Sequence, residues 1–316
     1  MSEARDMDAQ TSGEQKPATG TAARKGSIRY ARWRASAGTI WRDFRAQRSG
    51  VVGLIGLVVI GLLAILTPLF TDPASLSVTQ ATGARMAPPG DGFLLGTDEF
   101  GRSVLLLTVT GTRVTLIIGI ASAVMAMFIG TLVGIVAGHF EGRVSWILMR
   151  ITEWFMNLPS LVLAIVLVVV LGRNMAVLII AIGITSWAGT ARLIRAQTRG
   201  IEGRPYLERA RALGAGHWHQ MGRHVLPNVT PLVLASTIMA VAGAILTEST
   251  MAFLGLYDPN NLSWGMMLNR AWSAGGMSAG AWWYVLPPGL MILVVVLCFT
   301  LCGRALEVAL NPRLRS

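Results

Sequence analysis

Charged side chains are scarce in this chain of 316 residues, at 14% of the whole against 53% apolar. Soluble globular domains carry about a quarter charged residues, so the balance excludes that class and points to a chain that lives in lipid. Cysteine is scarcer, with only Cys298 and Cys302 present. Their i,i+4 spacing puts both on one face of an apolar helix too rigid to close a disulfide between them, which leaves them as small core residues. Lysine stops at Lys16 and Lys25, and neither belongs to a G-x-x-x-x-G-K-[ST] loop. Hydrolysis of ATP by such a phosphate-binding loop is therefore excluded for this chain. His217, His219 and His224 cluster, yet the first two point to different helix faces and no H-E-x-x-H spacing occurs, so no metal site is expected. The histidines all fall on the side of the chain expected to be cytoplasmic, which argues against a Ser-His-Asp hydrolase.

What is present is a succession of long apolar runs. The net charge of +11 comes from basic residues that flank these runs rather than from one aromatic-interleaved patch. Orientation in a membrane accounts for that pattern, and nucleic acid is not an expected partner. Residues 1–26 form a polar tail without an apolar face, expected to be disordered and too polar for a signal peptide. From Arg24 to Arg48 basic residues alternate with Ile28, Trp33, Ile40, Trp41 and Phe44, as in a segment lying on an anionic cytoplasmic leaflet of the lipid bilayer. Spans are expected at about 51–70, 114–138, 144–171, 176–194, 228–246 and 282–309. About 20 apolar residues suffice to cross roughly 30 Å of hydrocarbon. The chain thus divides into an N-terminal region, 27–110, holding the first span and an extracytoplasmic segment, and a core, 111–316, holding the other five. Arg48 before the first span and Arg313 and Arg315 after the last put both termini in the cytoplasm. The expected fold class is an all-α polytopic bundle of about six helices.

Gly130, Gly134 and Gly138 recur every fourth residue, a small-residue ridge that lets another helix approach closely. Arg150 and Glu153 stand i,i+3 and are placed to pair, and Pro159 in "NLPS" is expected to kink the third span. Acids within the spans are nearly absent, since Glu153 and Glu248 fall near span ends. Proton- or sodium-coupled carriers usually need such acids at mid-depth, so a secondary carrier is disfavoured.

One stretch, "YLERARALGAGHWHQMGRHVLPN", lies between the fourth and fifth spans. Leu207, Ala210, Arg211 and Gly214 share a helical face, and Glu208 is placed to pair with Arg204 or Arg211. "GAG" breaks the helix, Trp218, Met221 and Val225 form a second apolar stripe, and Pro227 is expected to end the unit. Two short helices joined by a glycine elbow result, over about 205–224. Periodicity alone leaves open whether they lie on the headgroups or project as a docking element.

The same stretch resembles the cytoplasmic loop signature of ABC importer permeases through Glu208, Ala210, Gly214, Leu226 and Pro227. Arg209 replaces the first alanine of that signature, and His224 stands at its usual isoleucine position. "LGTDEFGRSVLLLTVTGTRVTLIIG" is similar to the start of the C-type permeases of dipeptide and oligopeptide importers through Gly96, Thr97, Asp98, Gly101 and Arg102. "ESTMAFLGL" and "LSWGMML" extend the likeness through Glu248, Phe253, Leu254, Gly255, Leu256, Ser263, Trp264, Gly265 and Leu268. Departures are Ser103 for a frequent aspartate, "YDPNNL" for a proline-rich segment, and Arg304, Glu307 and Asn311 where Asp, Arg and Asp are common. Arg304 and Glu307 exchange charge sign together, which keeps an i,i+3 pair available.

The resemblance implies a type I importer permease of the bacterial cytoplasmic membrane. It implies a homologous B-type permease, two ATPase subunits that hold ATP and magnesium, and an extracytoplasmic substrate-binding protein as partners. This chain would bind no cofactor and catalyse nothing. Glu208, Ala210, Gly214, Leu226 and Pro227 would couple it to an ATPase. Peptides are the default substrate by resemblance, while nickel chelates, glutathione and other small solutes use similar permeases. Asp98 and Arg102 would either build a structural turn or meet the binding protein.

Overall fold

The computed structural model describes residues 38–71, 76–90 and 92–310. The expectations placed on the polar tail, on most of the basic segment before Arg48, and on Asn311, Arg313 and Arg315 lie outside the described residues. Regular structure is helical: α1 (Arg48–Phe70), α2 (Val104–His139), α3 (Arg143–Asn157), α4 (Ser160–Leu171), α5 (Met175–Glu202), α6 (Pro205–Ala212), α7 (His217–Gln220), α8 (Leu226–Phe253), α9 (Trp264–Ser273) and α10 (Trp282–Leu310). Five helices are long and apolar enough to cross a membrane, and a sixth crossing results if α3 and α4 count together. The fold is the expected all-α polytopic bundle.

Backbone groups in lipid must be satisfied internally, which is why the crossings are helices. Several threonines in α2 follow the same rule. Thr108, Thr110 and Thr112 each donate their hydroxyl to the carbonyl four residues back in α2, so no polar side-chain group of theirs faces hydrocarbon unpaired. Ser103 caps α2 by accepting from the Leu106 N–H, which starts this helix at Val104 rather than near Val114.

The bundle closes where side chains are smallest. Gly130, Gly134 and Gly138 of α2 lie against Thr190, Ala191, Ile194 and Thr198 of α5, so closely that a Cβ on Gly134 would stand 2.7 Å from the Ala191 carbonyl oxygen. Across the molecule, Gly53 and Gly56 of α1 receive Cys298 of α10. Both cysteines are free and buried there.

Several boundaries differ from expectation. The third span is not one kinked helix: α3 and α4 meet at 89°. Leu158 is extended (φ −82°, ψ 135°) because the ring of Pro159 disfavours a helical residue before it. α5 continues to Glu202, and "TEST" after the fifth span is helical as α8 runs on to Phe253. Arg150 and Glu153 do pair, at 3.1 Å, whereas Arg304 and Glu307 form no ion pair among the described residues.

Candidate functional site

Pro205 sits in the first turn of α6, where its missing N–H costs nothing. The helix ends in a Schellman motif: Ala215 N–H donates to the Ala210 carbonyl at 3.0 Å and Gly214 N–H to the Arg211 carbonyl at 2.9 Å. Gly214 occupies the left-handed conformation this ending needs, at φ +82°. No atom lies within 4 Å of where its Cβ would be, so the demand for glycine is conformational rather than steric.

Beyond the elbow, α7 passes into a π-wound turn, Met221–Val225, and then into α8. Pro227 has no N–H to offer the turn before it, and the wider winding carries the helix through the proline. His217–Phe253 is consequently one helix of 37 residues, which corrects the expectation that Pro227 ends the unit. Met221 and Val225 are buried against Ile135, Ile194, Ile201 and Val229, and Leu207 is fully buried. Trp218 departs from the expected stripe: it is 79% exposed and, with Leu213 at 88%, forms an apolar tip. Ala210 is half-buried, while Glu208, Leu226 and Pro227 are exposed.

Glu208 does not pair with Arg204 or Arg211. Arg211 reaches instead to Glu202 at the end of α5, and its Nε donates to Gln220 Oε1 at 3.2 Å. Glu202 also takes His139 Nδ1 at 2.6 Å, and His139 Nε2 meets His217 Nδ1 at 3.0 Å. His139 and Glu202 stand far apart in sequence, and no local pattern marks them as neighbours; only the parallel packing of α2 on α5 brings both C-terminal ends together. His217 is exposed on its helix face and still reaches His139 through Nδ1.

The remaining motif residues gather at the other end. Asp98 is fully buried; its Oδ1 accepts from the N–H groups of Phe100 and Arg102 at 2.9 and 2.8 Å, and its Oδ2 from Arg102 Nε at 2.7 Å. Thr97 donates to the Ala84 carbonyl and accepts from the Ala87 N–H. Gly96 and Gly101 have positive φ, and a Cβ on Gly101 would lie 2.1 Å from the Gly83 carbonyl oxygen. Tyr284 at the start of α10 donates to the buried Glu99. Trp264 is fully buried, with Nε1 on the Thr108 carbonyl at 2.8 Å, and Gly265 presses α9 onto Ser249 and Ala252 of α8. Glu248 is buried beside Ser249. Gly255 closes α8 as Gly214 closes α6, in a second Schellman ending with Leu256 N–H on the Met251 carbonyl at 2.9 Å.

In the loop between α8 and α9, Asp258 receives N–H groups of Asn260 at 3.0 Å and Met175 at 3.2 Å and the Asn261 amide at 2.8 Å. Burial pushes its pKa up, but these hydrogen bonds outweigh it and hold the carboxyl below the ordinary aspartate range.

A helical bundle of several crossings with a rigid elbow at one end and a sealed cluster at the other is a multi-pass membrane permease component. The chain matches the family described as binding-protein-dependent transport system inner membrane component over residues 130–316. The N-terminal TM domain of oligopeptide transport permease C matches residues 37–89. The chain belongs to the inner membrane components of binding-protein-dependent transport systems. It is 33% identical to the dipeptide transport system permease protein of Bacillus subtilis strain 168 over 276 residues, 87% of this chain and 85% of that one. It is 36% identical to the di/tripeptide transport system permease protein of Pseudomonas aeruginosa over 286 residues, 87% and 92% of the two chains. A glutathione transport system permease protein of Pectobacterium atrosepticum is 34% identical over 282 residues, 88% and 93%.

Proposed function

We propose that this chain is the C-type permease subunit of an ATP-driven importer of dipeptides or oligopeptides, and that its Gly214 elbow docks on an ATPase subunit. The working unit is this chain, a homologous B-type permease, two ATPase subunits that bind ATP and magnesium, and an extracytoplasmic binding protein. This chain catalyses nothing. It forms half of the pathway and passes on movement.

The observation that carries the coupling role is continuity. An exposed tip of Leu213 and Trp218 stands at the head of an unbroken helix, His217–Phe253. Displacing the tip displaces α8 as a rod, which is what conversion of nucleotide-driven closure into a change of access requires. The basic residues at this end, among them Arg192, Arg195, Arg199, Arg204, Arg209 and Arg223, support a cytoplasmic location. Peptides are supported by the names of the dipeptide and di/tripeptide relatives, and the glutathione relative supports the alternative of another small solute.

Gly214→Val forces a β-branched residue into the left-handed region, at a cost of about 1–2 kcal/mol in the elbow. Membrane insertion should persist while peptide uptake by the reconstituted importer falls about tenfold; wild-type uptake by the variant overturns the elbow reading. Copurification decides the importer reading itself, because a chain that never brings an ATPase and a second permease with it is a stand-alone carrier or channel. Mass spectrometry of ligands carried by the cognate binding protein tests the substrate, and glutathione or a nickel chelate in place of peptides would reassign it.

A further inference from the structure

We infer that His139, Glu202, Arg211 and His217 form a polar joint that obliges α2 and α5 to move with the coupling element. The inference rests on the coupling role proposed above and deepens it.

The elbow is covalently joined to α8 on one side and to α5 on the other. The α5 connection is a short non-helical link: only Gly203 and Arg204 separate Glu202 from Pro205. Arg211, on the last turn of α6, reaches back across that link to Glu202 and closes it with an ion pair. Arg211 Nε also holds Gln220 Oε1, and Gln220 Nε2 donates to the Ala215 carbonyl at 2.6 Å. One guanidinium thereby ties α5, α6 and α7 together.

α2 has no covalent connection to the elbow. His139, its last residue, supplies one with both ring nitrogens, Nδ1 at 2.6 Å from Glu202 Oε1 and Nε2 at 3.0 Å from His217 Nδ1. With Nδ1–H donated to the carboxylate, Nε2 accepts from His217 Nδ1–H, so the donors run from His217 through His139 to Glu202. His217 is the first residue of the helix that continues through α8. The chain of hydrogen bonds therefore connects the head of the α8 rod to the ends of α2 and α5. Its centre is shielded, the His139 side chain at 2% exposure and that of Glu202 at 13%, which strengthens each bond over its value in water. Arg195 of α5 adds a second tie nearby, donating to the Ala137 carbonyl of α2 at 3.4 Å and to Ser145 Oγ of α3 at 3.2 Å.

A structural role alone predicts less folded protein when the joint is cut; a joint predicts full assembly with poor transmission. The test uses the complete reconstituted importer and reads ATP hydrolysis and peptide uptake together. Glu202→Gln, Arg211→Gln and His217→Ala should keep the ATPase subunits bound and hydrolysis within about twofold of wild type, while uptake per ATP falls about tenfold. Arg211→Lys, which keeps the charge, should recover most of that loss, and the double variant Glu202→Gln, Arg211→Gln should be no worse than either single one. His217 is exposed, so its variant is the least able to disturb folding. Wild-type uptake per ATP in the single variants, or additive losses in the double one, overturns the joint; so does loss of the ATPase from the complex, which would make these residues docking contacts. An importer whose wild type shows no ATP-driven uptake removes the coupling role, and the joint falls with it.

Discussion

A carboxylate with no exposed surface meets a separate protein only if the structure around it opens. Asp98 is in that position, its side chain bonded to Phe100 and Arg102 of its own turn. Of the two roles open to it in the sequence, this geometry supports the structural turn. Asp98→Ala would leave a buried guanidinium without its carboxylate, held by the Leu76 carbonyl and the face of the Phe100 ring, and breaking one side of a buried pair costs about 3–5 kcal/mol. The purified variant should therefore melt well below wild type in detergent, and an unchanged melting temperature would contradict this role. Asp258 makes a milder prediction with a pH signature. Its folded pKa is depressed, so its contribution is present above the unfolded value and is lost as pH falls through the lower folded one. At neutral pH Asp258→Asn should be less stable by about 1–3 kcal/mol, the scale of hydrogen bonds to a charged group. The gap to wild type should close in acid below the ordinary aspartate range, and a gap that stays constant would show that the charge is irrelevant.

At the scale of elements, the sequence discloses what local chemistry decides. Apolar runs locate α1, α2, α5, α8 and α10, and the four-residue glycine period of α2 marks a close approach. What it does not disclose depends on neighbours. The 89° break at Pro159 is read only as a kink because a proline is compatible with either. The π turn before Pro227 is hidden because a proline after "GRHVL" reads as a stop, whereas continuous packing of Met221, Val225 and Val229 on α2 and α5 makes continuation the better solution. The Glu202 cluster is illegible for the same reason, since long-range packing alone assembles it. The glycine ridge carries its own prediction. A methyl group on Gly134 would stand 2.7 Å from the Ala191 carbonyl oxygen and 2.8 Å from Ile194 Cβ, so α2 and α5 must part to admit it. Gly134→Ala should cost about 1–3 kcal/mol, measurable as a lower melting temperature. Gly189→Ala, with nothing within 4 Å, is the control and should be neutral or slightly stabilising.

For the whole molecule, side-chain contacts sort the chain into two ends. Tyr284 with Glu99 and Met175 with Asp258 join the starts of α5 and α10 to the segments before α2 and after α8. His139, Glu202 and His217 join the ends of α2 and α5 to the start of the α7–α8 rod. α2 and α5 therefore run in the same direction and α8 in the opposite one, and between His139 and Met175 the chain returns from one end to the other with only α3 and α4 to do it. α4 has 12 residues and rises about 18 Å, short of the roughly 30 Å of hydrocarbon, so α3 completes the return. Six passages put the start of α1 and the end of α10 at the Gly214 end, where Gly50 lies against Ala305. The basic residues there support the proposed cytoplasmic location of that end, and the orientation is testable with a membrane-impermeant maleimide. Leu94 and Trp218 are each 79% exposed, at opposite ends, and the native thiols are buried inside α10, which keeps the background low. In intact spheroplasts Leu94→Cys should be labelled and Trp218→Cys spared, with both labelled after permeabilisation. Labelling of Trp218→Cys from outside would invert the chain, and an elbow facing outward has no ATPase to meet.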